Sequence, residues 1–99
     1  MITFTELLER AKSELIAIHT PTEEQAKALL AKLNKKGYKW LGGRKLTIET
    51  LYEYYKENSC YCFGIDTLLL SKKVMYGPLS FYEEYYTVVE FKDIDFKEE

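Results

Sequence analysis

Apolar residues recur at two periods along this chain, and the change of period divides its first half from its second. Phe4, Leu7, Leu8 and Ala11 fall at i, i+3, i+4 and i+7, which predicts a helix within Ile2 to Ser13. Thr3 and Glu6 stand as a capping box at its start. Glu14 to His19 reads as a short strand through Leu15, Ile16, Ala17 and Ile18. Thr20-Pro21-Thr22-Glu23 then supplies an N-cap, a proline suited to the first helical position and a box-closing glutamate. The predicted main helix runs to about Lys36, with Ala26, Leu29, Leu30 and Leu33 as its buried stripe and Gly37 as its stop.

After Gly37 the pattern shortens. Tyr38 to Trp40 is an extended segment closed by a Gly42-Gly43 turn. A third helix is expected from Thr47, with Ile48, Leu51, Tyr52 and Tyr55 on one face and Asn58-Ser59 at its end. Cys60 to Ile65 reads as a strand, Asp66-Thr67 as a turn, and Leu68 to Ser71 as a strand joined through Lys72-Lys73 to Val74–Tyr76. Gly77-Pro78 breaks that run. Ser80 to Tyr85 reads as a single helical turn or a short helix, Thr87 to Phe91 as the last strand, and 93–99 as a polar tail. The expectation is one α+β domain over 1–99. Its mostly antiparallel sheet of about five short strands packs against one main helix, with two shorter helices beside it. No internal repeat of 20–50 residues is present.

Composition narrows the chemistry. A formal charge of −2 over 99 residues gives no basic stripe for non-specific nucleic-acid binding. No apolar run reaches the roughly 20 residues of a membrane span, and charges interrupt Met1 to Lys12, so the chain is expected in the cytoplasm without a membrane partner. Cys60 and Cys62 would place both sulfurs on one face of a strand as buried thiols. With His19 the only histidine, no zinc site and no nucleophile–base pair is indicated. Phosphate-loop, dinucleotide and metalloprotease motifs are absent. A non-enzymatic protein without cofactor or metal is therefore expected.

The aromatic content is what stands out. Nine Tyr, five Phe and one Trp make up 15% of the chain. Consecutive pairs such as Tyr54-Tyr55 and Tyr85-Tyr86 point in different directions, so at least one ring of each should reach the surface. Exposed tyrosine offers a rigid ring and a hydroxyl to a ligand. Lys39, Trp40, Arg44, Lys45, Tyr61, Tyr82 and Tyr85 are the candidate ligand-binding set. The rings would stack a base and the cations would meet phosphates. An alternative surface is acidic: Glu83, Glu84, Glu90, Asp93 and Asp95 would mimic nucleic-acid phosphates toward a protein partner.

Four segments carry a family resemblance: Ala17-Ile18-His19-Thr20-Pro21-Thr22-Glu23-Glu24-Gln25-Ala26, Gly37-Tyr38-Lys39-Trp40, Tyr55-Lys56-Glu57-Asn58-Ser59-Cys60-Tyr61, and Tyr86-Thr87-Val88-Val89-Glu90-Phe91-Lys92-Asp93-Ile94. With them the chain resembles small, mostly uncharacterised accessory proteins of bacteriophages and prophages. The resemblance implies a protein of the host cytoplasm that antagonises antiviral defence. Two modes follow. One is a homo-oligomeric sponge that captures a small nucleotide immune signal. The other is an inhibitor that occupies a host defence protein such as a CRISPR nuclease through the acidic, Tyr-rich face.

Overall fold

The computed structural model describes residues 1–63 and 72–97. The order is β1 (Ile2–Thr3), α1 (Phe4–Arg10), β2 (Ile16–His19), α2 (Glu23–Lys35), β3 (Lys39–Trp40), α3 (Tyr52–Tyr55), β4 (Ser59–Phe63), β5 (Lys73–Pro78), α4 (Leu79–Tyr85), β6 (Thr87–Glu90) and β7 (Ile94–Asp95). Single 3-10 turns precede β4 and β7. The architecture is α+β. The main sheet runs β3-β5-β4-β2-β6. It is mixed rather than mostly antiparallel: β4 pairs antiparallel with β2 and β5, whereas β6 and β3 join its two flanks in parallel. The parallel pairs need crossovers, and α2 lies within the longer of them.

Alternation along the strands gives the sheet two dissimilar faces. Ile16, Ile18, Tyr61, Phe63, Trp40 and Val74 face α1 and α2, where they meet Phe4, Leu7, Ala26, Leu29, Leu30 and Leu33 in the larger core. Ala17, Cys60 and Cys62 face the other way and pack with Tyr82 of α4. The sheet is thus covered on both sides, by α1 and α2 on one face and by α4 on the other.

Local departures from the expected elements have identifiable causes. Thr3 forms its capping box with Glu6, but Ile2–Thr3 pairs in parallel with Ile94–Asp95 and α1 begins only at Phe4. That pairing docks the expected polar tail. Ile94 is buried, and the Phe96 ring lies 5.0 Å from Phe4. α2 is capped by Thr22, whose hydroxyl accepts from Gln25 N–H, and not by Thr20. Thr20 is buried, its N–H bonded to the Ser59 carbonyl. This continues the strand pairing and keeps the residue before Pro21 extended. At the other end Gly37 adopts φ 91°; its N–H reaches Asn34 C=O and that of Tyr38 reaches Leu33 C=O, a Schellman stop as the glycine predicts.

α3 is far shorter than its apolar spacing implies. Leu51 has φ 60°, a left-handed conformation that ends any helix from Thr47, and Ile48 is exposed. β5 runs on through Gly77, which does not break it. Cys60 pairs with Gly77, and a Cβ there would stand 3.1 Å from Tyr82 Cε2, so the glycine makes room for the α4 ring. Val74–Tyr76 pairs with Tyr61–Phe63. The expected strand over Leu68 to Ser71 and the turn before it lie outside the described residues.

Candidate functional site

The turn after β3 decides which side chains come together. Gly43 N–H closes on Trp40 C=O at 2.7 Å with φ 93° at Gly43, and Trp40 N–H bonds to Arg44 C=O at 3.0 Å. Arg44 therefore lies opposite Trp40, and Lys39 opposite Lys45. Successive strand residues point to opposite faces. Trp40 and Arg44 share the α2 side of the sheet, while Lys39 and Lys45 are on the α4 side.

On the α2 side a hollow of about 390 Å³ opens beside this turn, bordered by Trp40, Gly42, Arg44, Leu51, Val74 and Tyr76, with Glu49 at its margin. Its volume is within the usual range for small-molecule sites, roughly 300–1,000 Å³. Tyr76 is the accessible ring, set edge-on to Trp40 at 6.0 Å between centroids. Tyr55 and Tyr54 lie 5.8 and 6.3 Å from Tyr76 and extend the aromatic surface outward. Desolvation, with Tyr55 and Tyr54 alongside, pushes the Tyr76 phenol up, so it stays a neutral hydroxyl. Arg44 holds Glu49 at 2.8 Å. Trp40 buries its indole N–H with no acceptor among the described residues.

Segment 46–52 forms one wall, and two phenols tether it. Tyr61 Oη donates to Thr50 C=O, and Tyr52 Oη donates to Pro21 C=O at 2.7 Å. Thr50 Oγ1 also accepts Tyr52 N–H at 3.2 Å. These bonds hold Leu51 in its left-handed turn. A second hollow, of about 400 Å³, lies beyond the same segment against α2 and carries Glu23, Glu49 and Glu53 against a single Lys27. That charge balance repels anions.

The reverse face places His19 between Cys60 of β4 and Glu90 of β6 in one cross-strand row. The row has the residue types of a thiol triad but not the state. His19 Nδ1 is 2.9 Å from both Glu90 oxygens, and Nε2 is 2.7 Å from the Glu57 carbonyl oxygen. Both ring nitrogens are taken up by these acceptor oxygens, so neither is directed at Cys60. Cys60 is fully buried, and burial pushes its thiol up to about 12. Cys62 is raised by burial too, and its thiol donates to Tyr82 Oη at 3.2 Å.

The predicted ligand-binding set is therefore divided. Trp40 and Arg44 meet at the hollow. Tyr61 is wholly buried behind it and serves as a tether, so it offers no face for stacking. Tyr82 is buried on the opposite side of the sheet, and Tyr85 is exposed on α4, its ring 5.1 Å from the exposed Phe81. Lys39 and Lys45 are exposed on the face away from Trp40. The acidic set is scattered as well: Glu83, Glu84 and Asp93 are exposed, Glu90 is occupied by His19, and Asp95 caps Lys97 N–H from β7. Sequence reasoning missed Tyr76, Leu51 and Glu49. The alternation Val74-Met75-Tyr76, in register with a strand carrying Tyr61, was the available signal for Tyr76; nothing local marks the turn at Leu51.

Of the nine tyrosines, only Tyr61 and Tyr82 are buried, and Tyr54, Tyr55, Tyr76 and Tyr85 are exposed. The ring surplus does reach solvent. Among the described residues no helix is long and apolar enough to cross a membrane, and no cluster of His, Cys, Asp and Glu could hold a metal ion. No family model, curated protein or solved structure matches the chain.

Proposed function

We propose that the protein is a non-catalytic binding protein and that its ligand is a nucleotide-type molecule held at the Trp40–Arg44–Tyr76 hollow. The observation that carries this reading is the meeting, in one concavity, of an accessible ring, a guanidinium and a half-tethered apolar wall. A planar base would lie on Tyr76, and an anionic group would compete with Glu49 for Arg44. The buried indole N–H of Trp40 at the border adds an unmet donor that a ligand oxygen can satisfy after a small ring movement. The resemblance to phage accessory proteins supplies the setting: capture of a nucleotide immune signal in the host cytoplasm, one ligand per site, by a homo-oligomer.

Thermal denaturation with a panel of cyclic and ADP-ribose-type nucleotides tests this. A stabilising ligand should lose its effect in Tyr76→Ala, and Glu49→Gln should strengthen it by freeing Arg44. A panel without any shift at millimolar ligand removes the reading.

A second reading has one specific support. α4 presents Phe81 and Tyr85 side by side with Glu83 and Glu84 also exposed, and carries no Lys or Arg. An aromatic, acidic helix face of this kind suits a basic protein surface such as that of a defence nuclease. Its affinity would fall steeply with salt, and pull-down at low salt tests it.

A further inference from the structure

The register of β3 produces an arrangement that the hollow does not use. Lys39 is paired with Lys73 on one side and with Lys45 on the other. Partners in register point to the same face, so three ammonium groups form a ladder, Lys45–Lys39–Lys73, on the side of the sheet opposite Trp40. Lys39 and Lys45 are exposed and Lys73 is half-buried. None of the three makes an ion pair among the described residues, although acidic residues outnumber basic ones across the chain.

Like charges directly opposite one another destabilise a sheet. Edge strands often carry lysine to block pairing. Three in register, with no carboxylate interleaved, concentrate positive potential in a protein of net charge −2. Interstrand spacing of roughly 4.8 Å sets the ladder at about 10 Å from end to end. That length suits two or three consecutive phosphate groups. It is short for a nucleic-acid strand, which would run on over the rest of an acidic molecule.

We propose that the Lys45–Lys39–Lys73 ladder is a binding site for a chain of phosphate groups, either a free oligophosphate or the triphosphate of a nucleotide. The site is separate from the Trp40–Arg44–Tyr76 hollow and does not depend on it.

Calorimetric titration of the whole chain at low ionic strength tests the site, with inorganic tripolyphosphate, orthophosphate, adenosine triphosphate and a short oligothymidylate as probes. Tripolyphosphate is expected to bind one per chain, about tenfold or more tighter than orthophosphate, and to weaken as salt is raised. Lys39→Gln should lower its affinity by about tenfold while raising the melting temperature of the unliganded protein, because the central charge of the ladder is gone. Lys35→Gln, on the exposed side of α2, and Arg44→Gln, at the hollow, should leave tripolyphosphate binding unchanged. Adenosine triphosphate binding equal to tripolyphosphate assigns a free oligophosphate; tighter binding that Lys39→Gln weakens and Tyr76→Ala leaves intact assigns the nucleotide. Equal affinities for wild type and Lys39→Gln, an equal loss in Lys35→Gln, or tighter binding of the oligothymidylate would overturn the proposal. A failed nucleotide panel with intact tripolyphosphate binding would remove the hollow and leave the ladder standing.

Discussion

Tyr61→Phe separates the two roles this residue has been given. Its ring is fully buried, and its hydroxyl donates to Thr50 C=O in the segment that walls the hollow. Phenylalanine keeps the ring and removes that bond alone. A net hydrogen bond contributes roughly 0.5–1.5 kcal/mol, and Thr50 is only half-buried, so water can partly replace the phenol. The expected loss is about 1 kcal/mol, or roughly 4–8 °C in melting temperature for a domain of this size. Tyr61→Ala empties a core position instead and should cost about 3–5 kcal/mol. Urea denaturation followed by the fluorescence of Trp40, the single tryptophan, measures both. Amide exchange should also quicken around Leu51 and Tyr52 in Tyr61→Phe while α2 stays protected. If Tyr61→Phe matches wild type in stability and in exchange at those amides, the hydroxyl is no tether and the account of the wall is wrong.

Other consequences follow from the same contacts. Gly77→Ala places a methyl group 3.1 Å from the Tyr82 ring and should destabilise by about 1–3 kcal/mol, with the loss largely recovered in Gly77→Ala/Tyr82→Leu; a neutral single variant would mean that α4 moves freely. Gly37→Ala forces a side chain into φ 91° and should cost about 1 kcal/mol by urea denaturation, whereas Gly42→Ala, with open space at its Cβ, should not. For Cys60 the folded state holds the thiol proton more firmly than the unfolded state does, from an ordinary value of 9.0 up to about 12. Its stability contribution is thus complete below pH 9 and lost as pH rises from there toward 12, and Cys60→Ala should flatten that alkaline decline. At neutral pH, thiol reagents should label the native protein only as fast as it opens.

The elements that local chemistry specifies were legible in the chain. The α2 stripe, the Gly37 stop, the Thr3 capping box and the short helix before Tyr86 are all set by spacing or by a single cap. What was not legible depends on pairings far apart in sequence. Thr20 has every feature of an N-cap until its bond to Ser59 is known. Ile94 and Phe96 look like a tail until Ile2–Thr3 and Phe4 receive them. The site shows the same division. Lys39, Trp40, Arg44 and Lys45 read as one cationic, aromatic cluster along the chain, yet the β3 register puts two on each face. Tyr76 gains its place through the pairing of β4 with β5, which the alternation Val74-Met75-Tyr76 allows but does not specify.

The Gly-Tyr-Lys-Trp and Tyr-Lys-Glu-Asn-Ser-Cys-Tyr segments largely build the frame. Gly37 stops α2, Tyr38 packs on Phe63 at 5.7 Å, the Glu57 carbonyl accepts from His19, and Cys60 and Tyr61 fill opposite faces of β4. Lys39, like Lys56 and Asn58, is exposed and not explained by packing, and it is the centre of the lysine ladder.

The most direct measurement is a residue-resolved NMR titration of the ¹⁵N-labelled chain with each nucleotide of the panel. Saturable shifts are expected at Leu41–Arg44, Leu51 and Tyr76 for at least one of them, with Ala17 and Cys62 on the far side of the sheet unmoved. Spectra unchanged at millimolar nucleotide, or shifts confined to Phe81–Tyr85 of α4, would contradict nucleotide binding at the hollow.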